Sequence, residues 1–177
     1  MQIKGQVQRI RSHKMALKNV AEFNIEYLQV LDEEGQLDEK LEPVVEEKKL
    51  LNLYYYMTLS RVMDKRMLNL QRQGRLGTLP ASTGQEASFC APVLALKDTD
   101  WFVGSYRELG GRLMRGEPLV NVLRFYNGFE EGSHNPDSPR TLPVSIVLAS
   151  QIPHAVGLAY GSRMNGEKDT VAMVFVG

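Results

Sequence analysis

Cysteine is nearly absent, with Cys90 the single one among 177 residues. An internal disulfide framework is therefore excluded, and a reducing compartment such as the cytoplasm fits this usage. Placed among Ala87, Phe89 and Ala91, Cys90 reads as a buried, inert thiol. Charge of one sign is also missing, since 21 basic residues stand against 21 acidic ones. No global field then favours nucleic acid or an anionic membrane, and any anion site must be local. No run reaches the roughly 20 apolar residues of a membrane span, and no signal peptide with an apolar centre is visible, so a soluble chain is expected. The phosphate-binding Gly-x-x-x-x-Gly-Lys loop, the Gly-x-Gly-x-x-Gly fingerprint and the Gly-x-Ser-x-Gly elbow are all absent. His13, His134 and His154 have no metal-ligand spacing.

What is present is enough for a core, with 43% of residues hydrophobic. Residues 1–42 read as an N-terminal arm and short hairpin. Lys4, Arg9, Arg11, Lys14 and Lys18 stand in residues 1–21 without an acid, a pattern shared with transit peptides, but Ser12 is the one serine there and an arm lying on a partner or in solvent suits it better. Phe23-Asn-Ile-Glu-Tyr-Leu-Gln-Val-Leu31 has partial strand character, with a turn at Asp32-Glu-Glu-Gly35. From Pro43 to about Gln73, Leu51, Tyr55, Leu59, Met63, Met67 and Leu70 recur at spacings of three and four. That spacing predicts the strongest helix of the chain, with Pro43 in its first turn and Gly74 as its cap.

After a turn-rich loop, a helix is expected from Gln85, and Pro92 would kink one that reaches Lys97 unless it falls near a boundary. Trp101-Phe-Val103 predicts a short strand, Gly104-Ser-Tyr-Arg-Glu108 a tight turn, and a helix follows to about Arg115. Pro118 opens another helix through Tyr126, which Asn127-Gly128 ends. Residues 128–143 read as a long loop, and Ser145–Ala149 as a short strand or turn. The helix starting at Ile152-Pro153 carries Ala155, Gly157, Ala159 and Gly161, a pattern that predicts tight packing against a sheet. Thr170–Val176 then reads as a strand buried on both faces. A helix followed by such a strand is the unit of a doubly wound α/β parallel-sheet fold.

Tyr106 and Arg107 sit between a strand and a helix, where an Arg fork and a phenolic hydroxyl suit a phosphate. The alternative is a surface arginine paired with Glu108. Ser145, Ser150 and Gln151 bring two hydroxyls and an amide to one loop, able either to ligate a cation or to cap the next helix. Gln85-Glu86 are explained by a helix start.

Taken together, Phe23–Gly35, Met67-Leu-Asn-Leu-Gln-Arg-Gln-Gly-Arg-Leu-Gly77, Thr83-Gly-Gln-Glu-Ala87, Tyr106-Arg-Glu108, Gln151-Ile-Pro153 and the closing strand with Gly177 stand in a telling order. The chain resembles, over about residues 22–177, the α-subunits of the thiamine-diphosphate-dependent decarboxylating component of 2-oxo acid dehydrogenase complexes, of the pyruvate dehydrogenase type. The resemblance implies that residues 43–177 are the N-terminal portion of a thiamine-diphosphate-binding domain. Tyr106 and Arg107 would bind the diphosphate, and main-chain atoms near Leu148 would meet the aminopyrimidine ring. A structural potassium ion would sit at Ser145, Ser150 and Gln151, as in some members. Gly177 matches the first glycine of the family's Gly-Asp-Gly motif, so the Mg²⁺ ligands are expected after it.

The resemblance also implies a β-subunit in an α2β2 heterotetramer, with an activating glutamate on that β-subunit. The substrate would be a 2-oxo acid, and a lipoyl-bearing acyltransferase would receive the acyl group on its way to acetyl-CoA. Thr78 stands where relatives commonly have an aromatic residue, which leaves branched-chain 2-oxo acids as an alternative to pyruvate. A reading of another class is a non-catalytic fragment that binds a β-subunit.

Overall fold

The computed structural model describes residues 19–135 and 137–176. The basic cluster through Lys18, and Gly177, lie outside the described residues. The chain divides into two compact units between Val44 and Val45.

In the first unit the expected turn is present. The Asp32 carboxylate accepts the N–H groups of Glu34 at 3.0 Å and Gln36 at 2.7 Å, and Gly35 takes φ 79°. Leu31 and Leu37 form a single antiparallel bridge across it. The strand expected over Phe23–Leu31 does not form, and Phe23, Ile25 and Tyr27 are exposed. Alternation supplied an apolar face, but the described residues of the unit offer no second strand long enough to pair with it.

The second unit opens with α1 (Glu47–Arg72), four residues later than Pro43. Its end is as expected. Gly74 at φ 70° lets its own N–H reach Gln71 O at 2.9 Å and that of Arg75 reach Leu70 O at 2.9 Å, a Schellman motif. The anticipated seam holds only in the second half. Met67 is fully buried, whereas Leu51 and Tyr55 are exposed, because the described residues put nothing against the first turns. Polar Ser60 and Asp64 occupy the buried face instead.

Helix α2 (Glu86–Leu94) contains Pro92 in its last turn and ends before Lys97. Strand β1 (Trp101–Val103) is followed by a short α3 (Leu109–Met114), and α4 (Leu119–Tyr126) starts directly after Pro118. Helix α3 lies close to α2 because a Cβ on Gly110 would stand 2.5 Å from Cys90 Sγ. Cys90 is buried there, and that burial pushes its thiol up to about 12, in keeping with an inert role. Met67, Leu76, Leu79, Leu109, Leu113 and Val122 form the core beneath these helices.

The segment expected to be a long loop is anchored. A 3₁₀ turn covers Glu130–Ser133, and Gly132 packs so closely on α4 that a Cβ would stand 2.3 Å from Phe125 N. Its end runs beside β1, where Phe102 N–H donates to Arg140 O at 2.8 Å and Leu142 N–H donates to Phe102 O at 3.0 Å. Ser145–Ala149 is a turn rather than a strand, with Ala149 in the left-handed region at φ 65°.

Helix α5 (Gln151–Met164) leads to β2 (Ala172–Val174), which pairs parallel with β1 in the register Trp101↔Ala172, Phe102↔Met173 and Val103↔Val174. Ala155 and Ser162 of α5 are buried, but a Cβ at Gly157 or Gly161 would meet nothing within 4 Å. The expected tight packing of those two glycines against the sheet is thus absent. Strand β2 is half-buried rather than covered on both faces, since the described residues leave its faces only partly covered. Among the described residues the fold is mixed α/β, with five α-helices around this parallel pair.

Candidate cofactor-binding site

Parallel pairing sends the chain out of β1 and β2 on the same side, where ligands of open α/β sheets bind. A cavity of about 150 Å³ lies there, lined by Gln85, Tyr106, Arg107, Leu148, Phe175 and Val176. Three of the cofactor-binding residues expected from sequence, Tyr106, Arg107 and Leu148, therefore line one cavity. The fourth, Gly177, lies outside the described residues.

The turn after β1 is held from several directions. A Cβ at Gly104 would stand 2.8 Å from the Phe102 ring, so only glycine fits. Ser105 N–H donates to the Glu108 carboxylate at 2.7 Å. Burial pushes the Glu108 carboxyl up, against the hydrogen bonds that favour its charged form. Glu108 is thus committed to the turn and is not an ion-pair partner of Arg107. Arg107 lies over the Tyr106 ring at 5.2 Å and makes no ion pair among the described residues. An unpaired guanidinium beside a cavity is suited to an anion. At the start of the six-residue α3, one backbone donor is already used, since Leu109 N–H donates to Arg107 O at 2.9 Å.

The loop before α5 is tied to this turn by Gln151, which is 1% exposed. Its Nε2 donates to Ser145 O at 2.8 Å and to Ser105 Oγ at 3.2 Å. Ser145 Oγ and Ser150 Oγ lie 2.7 Å apart, and Ser150 Oγ donates to Val147 O at 2.7 Å. No side-chain cap of α5 forms. Two neutral hydroxyls and a carbonyl converge here without a carboxylate, a donor set better matched to a weakly held monovalent cation than to a divalent one. Gln151 presents its amide nitrogen as donor and locks the loop in place. No cluster of three His, Cys, Asp or Glu able to hold a metal occurs among the described residues.

A second cavity, of about 670 Å³, lies on the other side of Tyr106. Thr78, Phe125, Tyr126, Phe129 and Ile146 line it. Sequence reading missed Tyr126, whose hydroxyl donates to Tyr106 O at 2.5 Å, and it missed the polar contacts that shape the loop at residues 82–86. Asp64 accepts from Ser82 and Thr83, and Arg61 pairs in bidentate fashion with Glu86. The available signal was a polar residue, Asp64, interrupting the apolar seam between Met63 and Met67.

The family model of the "Dehydrogenase E1 component" matches residues 54–177, and the chain belongs to that family. It is similar to the "Pyruvate dehydrogenase E1 component subunit alpha" of Staphylococcus epidermidis, at 32% identity over 160 residues, covering 90% of this chain and 43% of that protein. The protein of the same name from Acholeplasma laidlawii is 37% identical over 142 residues, 80% of this chain and 41% of its own length. A Staphylococcus aureus relative of that name is 32% identical over 160 residues, with coverage of 90% and 43%. The chain thus spans less than half the length of these relatives. No helix among the described residues is long and apolar enough to cross a membrane.

Proposed function

We propose that the chain forms the diphosphate-binding wall of a thiamine-diphosphate-dependent 2-oxo acid dehydrogenase, acting on pyruvate. One observation carries this reading: Arg107, free of any carboxylate among the described residues, borders a cavity at the carboxyl ends of two parallel strands. Arg107 and the Tyr106 hydroxyl would hold the diphosphate, and the main chain at Leu148 would meet the aminopyrimidine. Gly177, matching the first glycine of the family's motif, would be the remaining contact to the cofactor. Ser145, Ser150 and Gln151 would hold potassium, the last through its amide oxygen, while the Gln151 amide nitrogen keeps their loop against Ser105. When bound, thiamine diphosphate supplies the electron sink that lets carbon dioxide leave a 2-oxo acid. The chain's own part is to bind, orient and shield.

The names of the three relatives support pyruvate as substrate. A second reading, branched-chain 2-oxo acids, is favoured by Thr78, which leaves room in the wall of the larger cavity. Residues 43–177 then form the N-terminal portion of a doubly wound cofactor domain, preceded by the arm of residues 1–42. A β-subunit in an α2β2 assembly would supply the activating glutamate and cover the outer face of α5, where Val156 and Tyr160 are 64% and 65% exposed. A lipoyl-bearing acyltransferase would accept the acyl group. A cytoplasmic location is part of this reading, in keeping with a single cysteine, Cys90.

The test is turnover by the complete protein assembled with a β-subunit, with pyruvate and 3-methyl-2-oxobutanoate offered separately. Carbon dioxide release from pyruvate that depends on added thiamine diphosphate is expected. Preference for the branched acid would favour the second reading, and release that ignores the cofactor would refute both.

A further inference from the structure

Besides the Gln151 contact to the Ser105 hydroxyl, three contacts to main-chain atoms help to pin the turn that presents Arg107. Two are local: Ser105 N–H to the Glu108 carboxylate at 2.7 Å, and Leu109 N–H to Arg107 O at 2.9 Å. The third comes from 20 residues away, where the Tyr126 hydroxyl at the end of α4 donates to Tyr106 O at 2.5 Å. That carbonyl shares a rigid peptide plane with the nitrogen of Arg107. Holding Tyr106 O therefore sets the direction in which the Arg107 backbone leaves the turn.

Tyr126 is itself held from the opposite side. Its carbonyl accepts Gly77 N–H at 2.9 Å, and a Cβ on Gly77 would stand 2.5 Å from that oxygen. Tyr126 therefore bridges the Gly77 loop and the Arg107 turn, and it lines the larger cavity. Burial pushes its hydroxyl up to about 12, so it stays protonated and remains a donor at neutral pH.

We infer that Tyr126 is a positioning residue for the anion site: through the Tyr106 carbonyl it holds Arg107 in the orientation that binds a diphosphate group. The inference rests on the reading of Arg107 as a diphosphate ligand, and its test separates the two. Thiamine diphosphate is titrated by calorimetry into the cofactor-stripped, fully assembled protein as wild type, Tyr126→Phe, Arg107→Ala and the double variant. Tyr126→Phe is expected to weaken binding by about 5- to 20-fold, the scale of one lost hydrogen bond that positions a charged one. In the Arg107→Ala background the same change is expected to cost less than about 2-fold, because nothing remains to be positioned. Incorporating 3-fluorotyrosine at 126 keeps the hydroxyl and restores affinity.

Unchanged affinity in Tyr126→Phe, with Arg107→Ala weakened, overturns the positioning role and leaves the site reading intact. If Arg107→Ala also binds normally, the site reading falls as well. A loss in Tyr126→Phe that persists undiminished without Arg107 overturns the coupling. That comparison holds even if the variant melts at a lower temperature, since coupling to Arg107 is not a property of general stability.

Discussion

Asp64, 2% exposed in the middle of α1, accepts hydrogen bonds from Ser82 through both its N–H, at 3.0 Å, and its hydroxyl, at 3.2 Å. The other carboxylate oxygen takes the N–H of Thr83 at 3.2 Å and the Thr83 hydroxyl. One helical side chain thereby shapes the loop that leads into α2 and Gln85. Asp64→Ala removes every one of these acceptors and strands two backbone donors. It is expected to destabilise the protein by about 3 kcal/mol, read from denaturant midpoints, with Asp64→Asn costing less.

The Arg61–Glu86 pair makes a pH prediction. The guanidinium of Arg61, bonded to both carboxylate oxygens, holds the Glu86 carboxyl down to about 2 from an ordinary 4.5. A depressed folded value means that the contribution is fully present above 4.5, fades as pH falls and is gone below about 2. Chemical denaturation of wild type and Glu86→Gln across that window checks this. The stability gap between them is expected to be constant above 4.5 and to close toward 2.

These pairings show where sequence reading stops. The helix cap at Gly74 and the Tyr106-Arg107 turn were legible because each depends on residues within a few positions of one another, and strand β1 because its own apolar run marked it. The Arg61–Glu86, Asp64–Ser82 and Tyr126–Tyr106 contacts join residues 25, 18 and 20 positions apart, and periodicity carries no information about them. The exposed turns of α1, and Gly157 and Gly161 on α5, were misjudged for a related reason. Apolar spacing marks a face to be covered but not whether the same chain covers it.

Two glycines test that distinction. Gly132→Ala drives a Cβ into backbone atoms, Phe125 N at 2.3 Å and Asn121 O at 2.4 Å, and is expected to cost about 1–3 kcal/mol in a thermal melt. Gly157→Ala meets nothing within 4 Å and should stabilise the separate subunit by about 0.5–1 kcal/mol. If a partner subunit covers α5, the same substitution weakens association in sedimentation experiments. Unaltered association would remove this face from the interface.

The central claim is that the unpaired guanidinium of Arg107 binds a diphosphate. Calorimetric titration of thiamine diphosphate into the assembled, cofactor-free protein carrying Arg107→Ala tests it most directly. Loss of charged hydrogen bonds worth roughly 1.5 to 3 kcal/mol predicts binding weaker by about 10- to 150-fold. Affinity equal to that of the wild type would contradict the account and return Tyr106 and Arg107 to the protein surface.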